Sequence, residues 1–562
     1  MGTIYHSGTI ITMQEVSAGT GAPGPSPESV LTVDDRIIAT GTLEDIRDAH
    51  GDGHELVDLE GNVLLPAFVD AHSHFTTYGV FASQVNLRSA RSVDDIVVAL
   101  SEKLAARAED DTTPLAGVAY DHNNLPGYRH PDRHDLNRVS DSVPIFIIHQ
   151  SSHMGVANSA ALRTAGIDAS TPDPDGGRFG RESGTSEPDG YVEELSALMI
   201  FAQGFADGAG TSLLLPGTQA DPREAIRTAQ REYLSRGITT VQEGAAAPHE
   251  VDSLIAAGAD GDLVLDVVAY PIVTAGGLDV LDAHPDHVGD YVDHVRLGGC
   301  KLILDGSPQA RSAWLSEPYE PESYESESGE EEHGPGECQC GYPALPDDQV
   351  ARYITRAVEG GHQVLAHCNG DASSEQLITA YSEVAASHPQ ATQLRPVMIH
   401  AQTVRDDQLD RMPGLGMIAS FFSGHVYFWG DTHLRNLGEE RARRISPARS
   451  ALDRGVAITL HQDAPVTDPD MPVSLAASTD RRTSSGRVLG PEQAISRWEA
   501  LKAVTSGSAF QYGEEDDKGR IAPGLRADLI VVDRNPLTCA DEDLRDLAVL
   551  RTVKDGRVVF SR

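Results

Sequence analysis

Two histidines separated by one residue mark the first place where this chain could do chemistry. His72 and His74 follow the largely apolar run at 63–69, which predicts a buried strand. Because alternate residues of a strand point to the same face, we expect the two imidazoles to project together from its C-terminal end. Adjacent imidazoles chelate a borderline metal such as zinc. Taken alone, the same pattern also fits two structural histidines.

Four further candidates lie at or near the ends of later predicted strands. They are Lys301, His367, His400 and Asp463. Each histidine taken singly also fits a hydrogen-bonded core residue. Their recurrence in register favours a shared site, because the C-terminal strand ends of a barrel converge on its catalytic face.

Lys301 needs its own explanation, because the chain has only five lysines and this one lies in a largely apolar strand. A buried ammonium needs a partner or a changed charge. Carboxylation by carbon dioxide would turn the amine into an anionic oxygen ligand. The alternative is an ion pair with Asp305 or Asp463.

The elements that position these residues alternate between strand and helix. Asp221 is a good N-cap, and Pro222 fits the first helical position. The predicted helices that follow are 347–359, 373–386, 406–412 and 447–454, and the predicted strands are 238–242, 364–367, 397–400, 417–421 and 456–460. Strands separated by helices imply a parallel sheet. This many units favours an α/β fold, a TIM-like (β/α)8 barrel.

Both chain ends differ from the middle of the chain, because they consist of short predicted strands broken by turns. This predicts a small β-sandwich domain made from 1–64 and 516–562, beside a barrel at 65–515. The stretch at about 76–220 is too long for a strand-to-helix connection. It predicts a large inserted subdomain after the first barrel strand.

The stretch 317–340 is acidic and low in apolar residues, which is typical of an exposed loop or a disordered excursion. It contains Cys338 and Cys340, and two thiols in an acidic loop make a weak metal site. Cys368 follows His367, and strand alternation points it away from the site, so we interpret it as packing.

Several motifs resemble those of the amidohydrolase superfamily, and within it the amidohydrolase 3 group that includes N-substituted formamide deformylases. The matching segments are LLPAFVDAHSHF at 64–75, KLILDGSPQARSAW at 301–314, VLAHCNGDAS at 364–373, VMIHAQ at 397–402, DAPV at 463–466 and GRIAPGLRADLIVVD at 519–533. The resemblance covers almost the whole chain.

The resemblance implies a divalent metal centre, with zinc as the expected metal and one or two ions. His72, His74 and Asp463 would bind the buried metal. A carboxylated Lys301 would bridge to a second metal, held by His367 and His400. One departure is the pair His461-Gln462, which stands where many relatives have small residues.

The implied activity is metal-dependent hydrolysis of a carbon–nitrogen bond in a small amide, N-substituted formamide or cyclic amide. Asp463 would accept a proton from water and pass it to the leaving nitrogen. A lyase or isomerase on the same scaffold stays open, since a metal also stabilises an enolate. A third hypothesis is a non-catalytic barrel, and the intact set of candidate ligands argues against it.

Weaker candidates line the expected substrate pocket. The stretch HMGVANSAAL at 153–162 resembles a group motif, so His153 and Asn158 are candidate substrate contacts; helix capping by Asn158 is an equal alternative. His425, after the strand at 417–421, is a further candidate contact. His461 could contact substrate, and a structural hydrogen bond is the favoured interpretation.

Charge and composition exclude some partners. The formal net charge is −41, so the surface repels nucleic acid and anionic membranes. No apolar run approaches the ~20 residues needed to span a bilayer, and no signal peptide is recognisable. Five cysteines do not suggest a disulfide framework. These features predict a soluble cytoplasmic protein, compatible with a homodimer, and the acidic, lysine-poor surface suggests a halophilic source.

Overall fold

The computed structural model of the chain describes residues 2–16, 23–108, 111–174, 176–205, 221–321 and 339–562. Its strands are β1 (Thr3–His6), β2 (Thr9–Ile10), β3 (Ser29–Val33), β4 (Arg36–Gly41), β5 (Glu55–Asp58), β6 (Val63–Pro66), β7 (Phe68–Val69), β8 (Val85–Asn86), β9 (Leu115–Tyr120), β10 (Ile145–His149), β11 (Met154–Ala157), β12 (Arg178–Arg181), β13 (Pro188–Glu193), β14 (Ile238–Ala246), β15 (Asp266–Pro271), β16 (Val295–Leu297), β17 (Gly299–Ile303), β18 (Gln363–Cys368), β19 (Val397–His400), β20 (Ile418–Phe421), β21 (Ile458–Leu460), β22 (Leu529–Val532), β23 (Val549–Lys554) and β24 (Arg557–Ser561).

The helices confirm the predicted alternation. They are α1 (Leu43–His50), α2 (Phe75–Ala82), α3 (Val93–Ala105), α4 (Arg133–Asn137), α5 (Ser159–Ala165), α6 (Glu194–Gln203), α7 (Pro222–Ser235), α8 (Pro248–Ala259), α9 (Gly277–Ala283), α10 (Asp347–Glu359), α11 (Asp371–Ser387), α12 (Asp406–Leu409), α13 (Gly424–Arg443), α14 (Ala448–Asp453), α15 (Met471–Asp480), α16 (Arg497–Ala503), α17 (Ser506–Gln511) and α18 (Asp541–Leu544). The helix predicted at 347–359 has those bounds, and Asp221 caps α7 by accepting from N of Arg223. In the part of the chain that is described, no helix is both long and apolar enough to cross a bilayer.

The parallel strands that carry the candidate residues form two sheets. One has the order β16-β15-β14-β7 and the other β17-β18-β19-β20-β21. A parallel bridge between Ile272 and Lys301 joins the two sheets. At the opposite edges, N of His74 donates to O of Ala464 at 2.8 Å. The result is a TIM-barrel-like α/β fold whose strand ends meet near the histidines.

Residues 85–193 form a separate six-stranded sheet, with the order β12-β13-β11-β10-β9-β8. One apolar cluster around Phe146 and Phe201 packs with α6, and another around Leu100 and Ile147 packs with α3. This sheet therefore has a core of its own. It lies within the stretch predicted as an insertion.

The two chain ends share a sheet. Strand β6 pairs antiparallel with β22, in the order β2-β6-β22-β23-β24, and β4-β3-β1-β5 form a second sheet. One apolar cluster contains Tyr5 and Val30 from the N-terminal part with Leu529 and Val553 from the C-terminal part. Both ends thus contribute to one core. Residues 322–338 of the predicted acidic loop, including Cys338, lie outside the described residues.

Candidate metal centre

Three side chains from opposite edges of the parallel sheets converge on one point. Oδ1 of Asp463 lies 3.4 Å from Nε2 of His72 and 3.3 Å from Nε2 of His74. Strand β7 ends at Val69, so both histidines lie on the loop after the strand rather than in it. The backbone holds this loop, since N of Asp463 donates to O of His72 at 3.2 Å.

These three donors fit a divalent metal. Oδ1 of Asp463 is buried and accepts no hydrogen bond from the residues that the structure describes. Burial raises the pKa of Asp463, but the imidazoles of His74 and His72 outweigh it and hold that pKa well below its usual range. An ionised carboxylate without a hydrogen-bond donor, beside two imidazole nitrogens, is a donor set typical of zinc and similar ions.

Gln242 fixes the orientation and tautomer of His72. The Nε2 amide of Gln242 donates to O of Ala71 at 2.8 Å and to the Tyr512 hydroxyl at 3.0 Å. Its Oε1 therefore faces Nδ1 of His72, at 2.5 Å. Nδ1 must carry the ring proton, which leaves the lone pair of Nε2 facing Asp463. Metal-binding histidines commonly have such a partner, and sequence reasoning missed Gln242 although it lies in strand β14.

His367 and His400 form a second pair of donors beside the first. Nδ1 of His367 lies 3.0 Å from Nε2 of His400, and Nε2 of His400 lies 3.9 Å from Oδ2 of Asp463. Nε2 of His367 lies 3.0 Å from both O of Gly306 and Nδ2 of Asn369. Donation from Nε2 to the carbonyl oxygen would leave a lone pair on Nδ1. The structure thus brings together the predicted metal-binding residues His72, His74, His367, His400 and Asp463.

Lys301 points into the same cluster. Its Nζ lies 3.1 Å from Nε2 of His72, and burial lowers its pKa to about 7 against the opposing charge of Asp463. In the described chain, neither Asp305 nor Asp463 lies within ion-pair distance of Nζ. Asp305 instead accepts from N of Gly370 at 2.7 Å, from N of Asn369 at 2.9 Å and from N of Trp314 at 3.0 Å. The ion-pair alternative for Lys301 is therefore not seen.

Backbone conformation at two of these residues is uncommon. The φ angles of His400 and Asp463 are 74° and 55°, in the left-handed region that residues other than glycine seldom adopt. Such conformations persist where the surrounding structure holds them, and they cluster at functional sites.

His153 lines a cavity of about 340 Å³ that also reaches His74, Lys301 and Asp463. Its Nδ1 lies 2.8 Å from Oε2 of Glu194. Burial lowers the pKa of His153, but Glu194 outweighs it and the pKa is raised overall. The imidazole of His153 lies beside the histidine cluster, with its ring centroid 5.1 Å from that of His367.

Asn158 and His425 do not line this cavity in the described structure. Asn158 is fully buried, and its Oδ1 accepts from N of Ala161 at 2.8 Å, which caps α5. Asn158 therefore caps a helix, which the sequence offered as the alternative to a substrate contact. His425 is buried against Phe422, with its Nδ1 3.1 Å from Nε2 of His433.

A second group with metal-binding residue types, Asp121, His122 and His149, was not recognised from the sequence. Here N of Ser151 donates to Nδ1 of His149 at 3.0 Å, so Nε2 of His149 carries the proton. That nitrogen lies 3.3 Å from Oδ1 of Asp121, as a donor rather than as a ligand. Nε1 of Trp429 also donates to Asp121, at 3.1 Å. This network is satisfied internally and ties the six-stranded sheet to α13.

Comparison with known proteins agrees with the geometry. The model of the amidohydrolase family matches residues 55–560. YtcJ of Bacillus subtilis (strain 168) is 26% identical over 580 residues, covering 100% of both chains. The N-substituted formamide deformylase of Arthrobacter pascens is 26% identical over 538 residues, covering 95% of each chain.

Among solved structures, an uncharacterized metal-dependent hydrolase from Pyrococcus furiosus superposes with a TM-score of 0.70 at 25% identity. The match covers 96% of this chain and 100% of that one. With the family match, it identifies a hydrolase that acts on carbon–nitrogen bonds. The chain belongs to the amidohydrolase family, as its motifs predicted.

Proposed function

We propose that this protein hydrolyses a small neutral amide, N-substituted formamide or cyclic amide with a water activated at a zinc centre. The observation that carries the proposal is Oδ1 of Asp463, which is buried and lies within 3.4 Å of Nε2 of both His72 and His74. Among the described residues it accepts no hydrogen bond. A bound divalent metal supplies a water whose pKa is lowered towards ~7.

The protein's own residues then move the proton. Asp463 is ionised and lines the cavity, so it accepts a proton from the attacking water. It later returns that proton to the leaving nitrogen. His153, held by Glu194 across the cavity, is positioned to donate a hydrogen bond to the substrate carbonyl oxygen.

We propose that Lys301 is carboxylated and bridges two metals, with His367 and His400 holding the second. The supporting observation is a buried amine whose pKa is lowered to about 7, so that a large fraction is the neutral nucleophile that carbon dioxide requires. The 3.0 Å separation between Nδ1 of His367 and Nε2 of His400 suits two ligands of one ion.

The cavity supports an amide with an apolar substituent. Its walls include Met199, Ile272, Ile303 and Val466. These side chains exclude water from the reacting bond and make room for a hydrocarbon group. The relative from Arthrobacter pascens is named an N-substituted formamide deformylase, and an N-substituted formamide is likewise an amide with a substituent on nitrogen.

The test is a screen of N-formyl amines, N-acyl amines and cyclic amides on metal-analysed protein. We expect one or two divalent ions per chain, loss of turnover after chelation and recovery with zinc. Hydrolysis in ¹⁸O-water should label the released acid, which distinguishes it from a lyase or isomerase reaction. Turnover that survives complete metal removal would contradict the proposal.

We further propose the domain boundaries 1–64, 65–515 and 516–562, with a β-sandwich made from both ends and the insertion at about 76–220. The pairing of β6 with β22 supports the shared terminal domain. A cytoplasmic location, a halophilic source and a homodimer are proposals that rest on the sequence.

A further inference from the structure

His461 extends the histidine cluster by one residue beyond the candidate ligands His72, His74, His367 and His400. It follows β21 and is fully buried. Its Nε2 lies 3.2 Å from Nδ1 of His400, and its Nδ1 lies 2.8 Å from Oγ of Ser420 on β20. Ser420, His461, His400 and His367 therefore form one continuous chain of hydrogen-bonding atoms.

With Nε2 of His367 donating to O of Gly306, counting protons along this chain leaves two arrangements, because each neutral imidazole carries one. In one arrangement, Nε2 of His400 donates to Nδ1 of His367, and neither nitrogen can bind a metal. In the other, Nδ1 of His400 donates to Nε2 of His461, and Nδ1 of His461 donates to Oγ of Ser420. Only the second leaves both His367 and His400 with lone pairs that face each other.

We propose that His461, anchored by Ser420, is a positioning residue that holds His400 in the tautomer needed to bind the second metal. A hydroxyl donates and accepts, so Ser420 permits this arrangement. Partners of this kind orient metal-binding histidines in general. The inference rests on the proposed two-metal centre.

The test measures metal stoichiometry and affinity by competition with a chelator, without any substrate. The His461→Phe variant should lose ~10–100-fold in affinity for the weaker-bound zinc ion. The tighter ion should be unaffected, because Gln242 fixes His72 independently. His461→Gln keeps a hydrogen-bond acceptor and should recover most of the affinity. The matched control, His433→Phe, replaces another fully buried histidine and should bind both ions normally.

Nitrogen-15 NMR of the imidazoles supplies a second readout. Wild-type protein with zinc should place the proton of His400 on Nδ1, and Ser420→Ala should shift that tautomer even if His461→Phe fails to fold. The proposal would be overturned if His461→Phe bound zinc with unchanged affinity, or if His433→Phe lost an equal amount of affinity. It would also be overturned if the wild type held one ion whose affinity neither substitution changed. Failure to hydrolyse any amide would sink the proposed function while leaving these metal measurements standing.

Discussion

At the scale of single residues, Asp463 combines two roles that a substitution can separate. Its oxygens face His72, His74 and His400, and it is also the carboxylate available to take a proton from water. In the proposed centre the histidines would hold the metal as neutral nitrogen donors, whereas among these side chains only the carboxylate of Asp463 offers a base. Replacing the Asp463 carboxylate with an amide should therefore impair proton transfer more than metal binding.

Asp463→Asn should keep most of the bound metal and lower kcat by ~10²–10⁴-fold, because the amide cannot accept the proton. His72→Ala should lose metal and activity together. Metal content by mass spectrometry of the purified variants and kcat on an identified substrate give the comparison. Near-normal turnover of Asp463→Asn would show that another group is the base.

The carboxylates of Glu243 and Glu250 lie near each other: Glu243 is buried, and the half-buried Glu250 lines the cavity. Burial and then the charge of Glu250 raise the pKa of Glu243 to about 8, from 4.5 in the unfolded chain. Between these two pH values the folded protein keeps a proton that the unfolded chain has released. The free energy of unfolding should therefore fall as the pH rises from about 4.5 to 8.

Glu243→Gln mimics the protonated acid and keeps an acceptor for N of Thr76. The variant should gain stability over the wild type progressively from pH 5 to pH 8. Urea unfolding at pH 5, 6.5 and 8 measures the difference, and Glu383→Gln on the exposed side of α11 is the control. A constant difference at all three pH values would argue against a protonated Glu243.

At the scale of elements, Asn158 connects a helix to the sheet beneath it. Its Oδ1 accepts from N of Ala161 in α5 and from N of Ile145 in β10, and its Nδ2 donates to O of Ser140 and Val143. Four buried hydrogen bonds depend on this one amide. Without the Asn158 side chain, α5 would lose its N-cap and backbone groups would lose their hydrogen-bond partners.

Asn158→Ala should therefore lower the free energy of unfolding by about 2 kcal/mol and leave KM unchanged. Ser92→Ala, which removes the more exposed cap of α3, should cost about 1 kcal/mol. Denaturant unfolding and steady-state kinetics provide both readouts. A raised KM with unchanged stability would return Asn158 to the substrate pocket.

At the scale of the whole molecule, the distribution of lysine explains an odd composition. Lys301, Lys518 and Lys554 are buried, and the last two lie 2.7 and 3.0 Å from Oδ2 of Asp266. The surface instead carries arginine and many carboxylates, with a formal net charge of −41. Self-repulsion of such a surface weakens as salt screens it.

The melting temperature should accordingly rise as potassium chloride increases from low to molar concentration. Calorimetry or fluorescence melting at several concentrations measures it, with sucrose of equal osmolarity as the uncharged control. No gain in salt, or an equal gain in sucrose, would remove the electrostatic explanation and the argument for a halophilic source.

The sequence by itself determined the alternation of strands and helices, because hydrophobic period and caps are local properties. It also predicted the candidate ligands, since His72, His74, His367, His400 and Asp463 stand at or just beyond strand ends. The family motifs then predicted their grouping. Local patterns of this kind are visible without knowing which strands become neighbours.

Only the tertiary structure decided the partners of those residues. The acceptor that fixes His72 is Gln242, 170 positions away, and the imidazole that contacts His400 through Nε2 is that of His461, 61 positions away. It also placed Asn158 in a cap and the Asp121 group in a satisfied network. Tautomers and hydrogen-bond satisfaction depend on long-range neighbours that the folded chain brings together, so no spacing in the sequence encodes them.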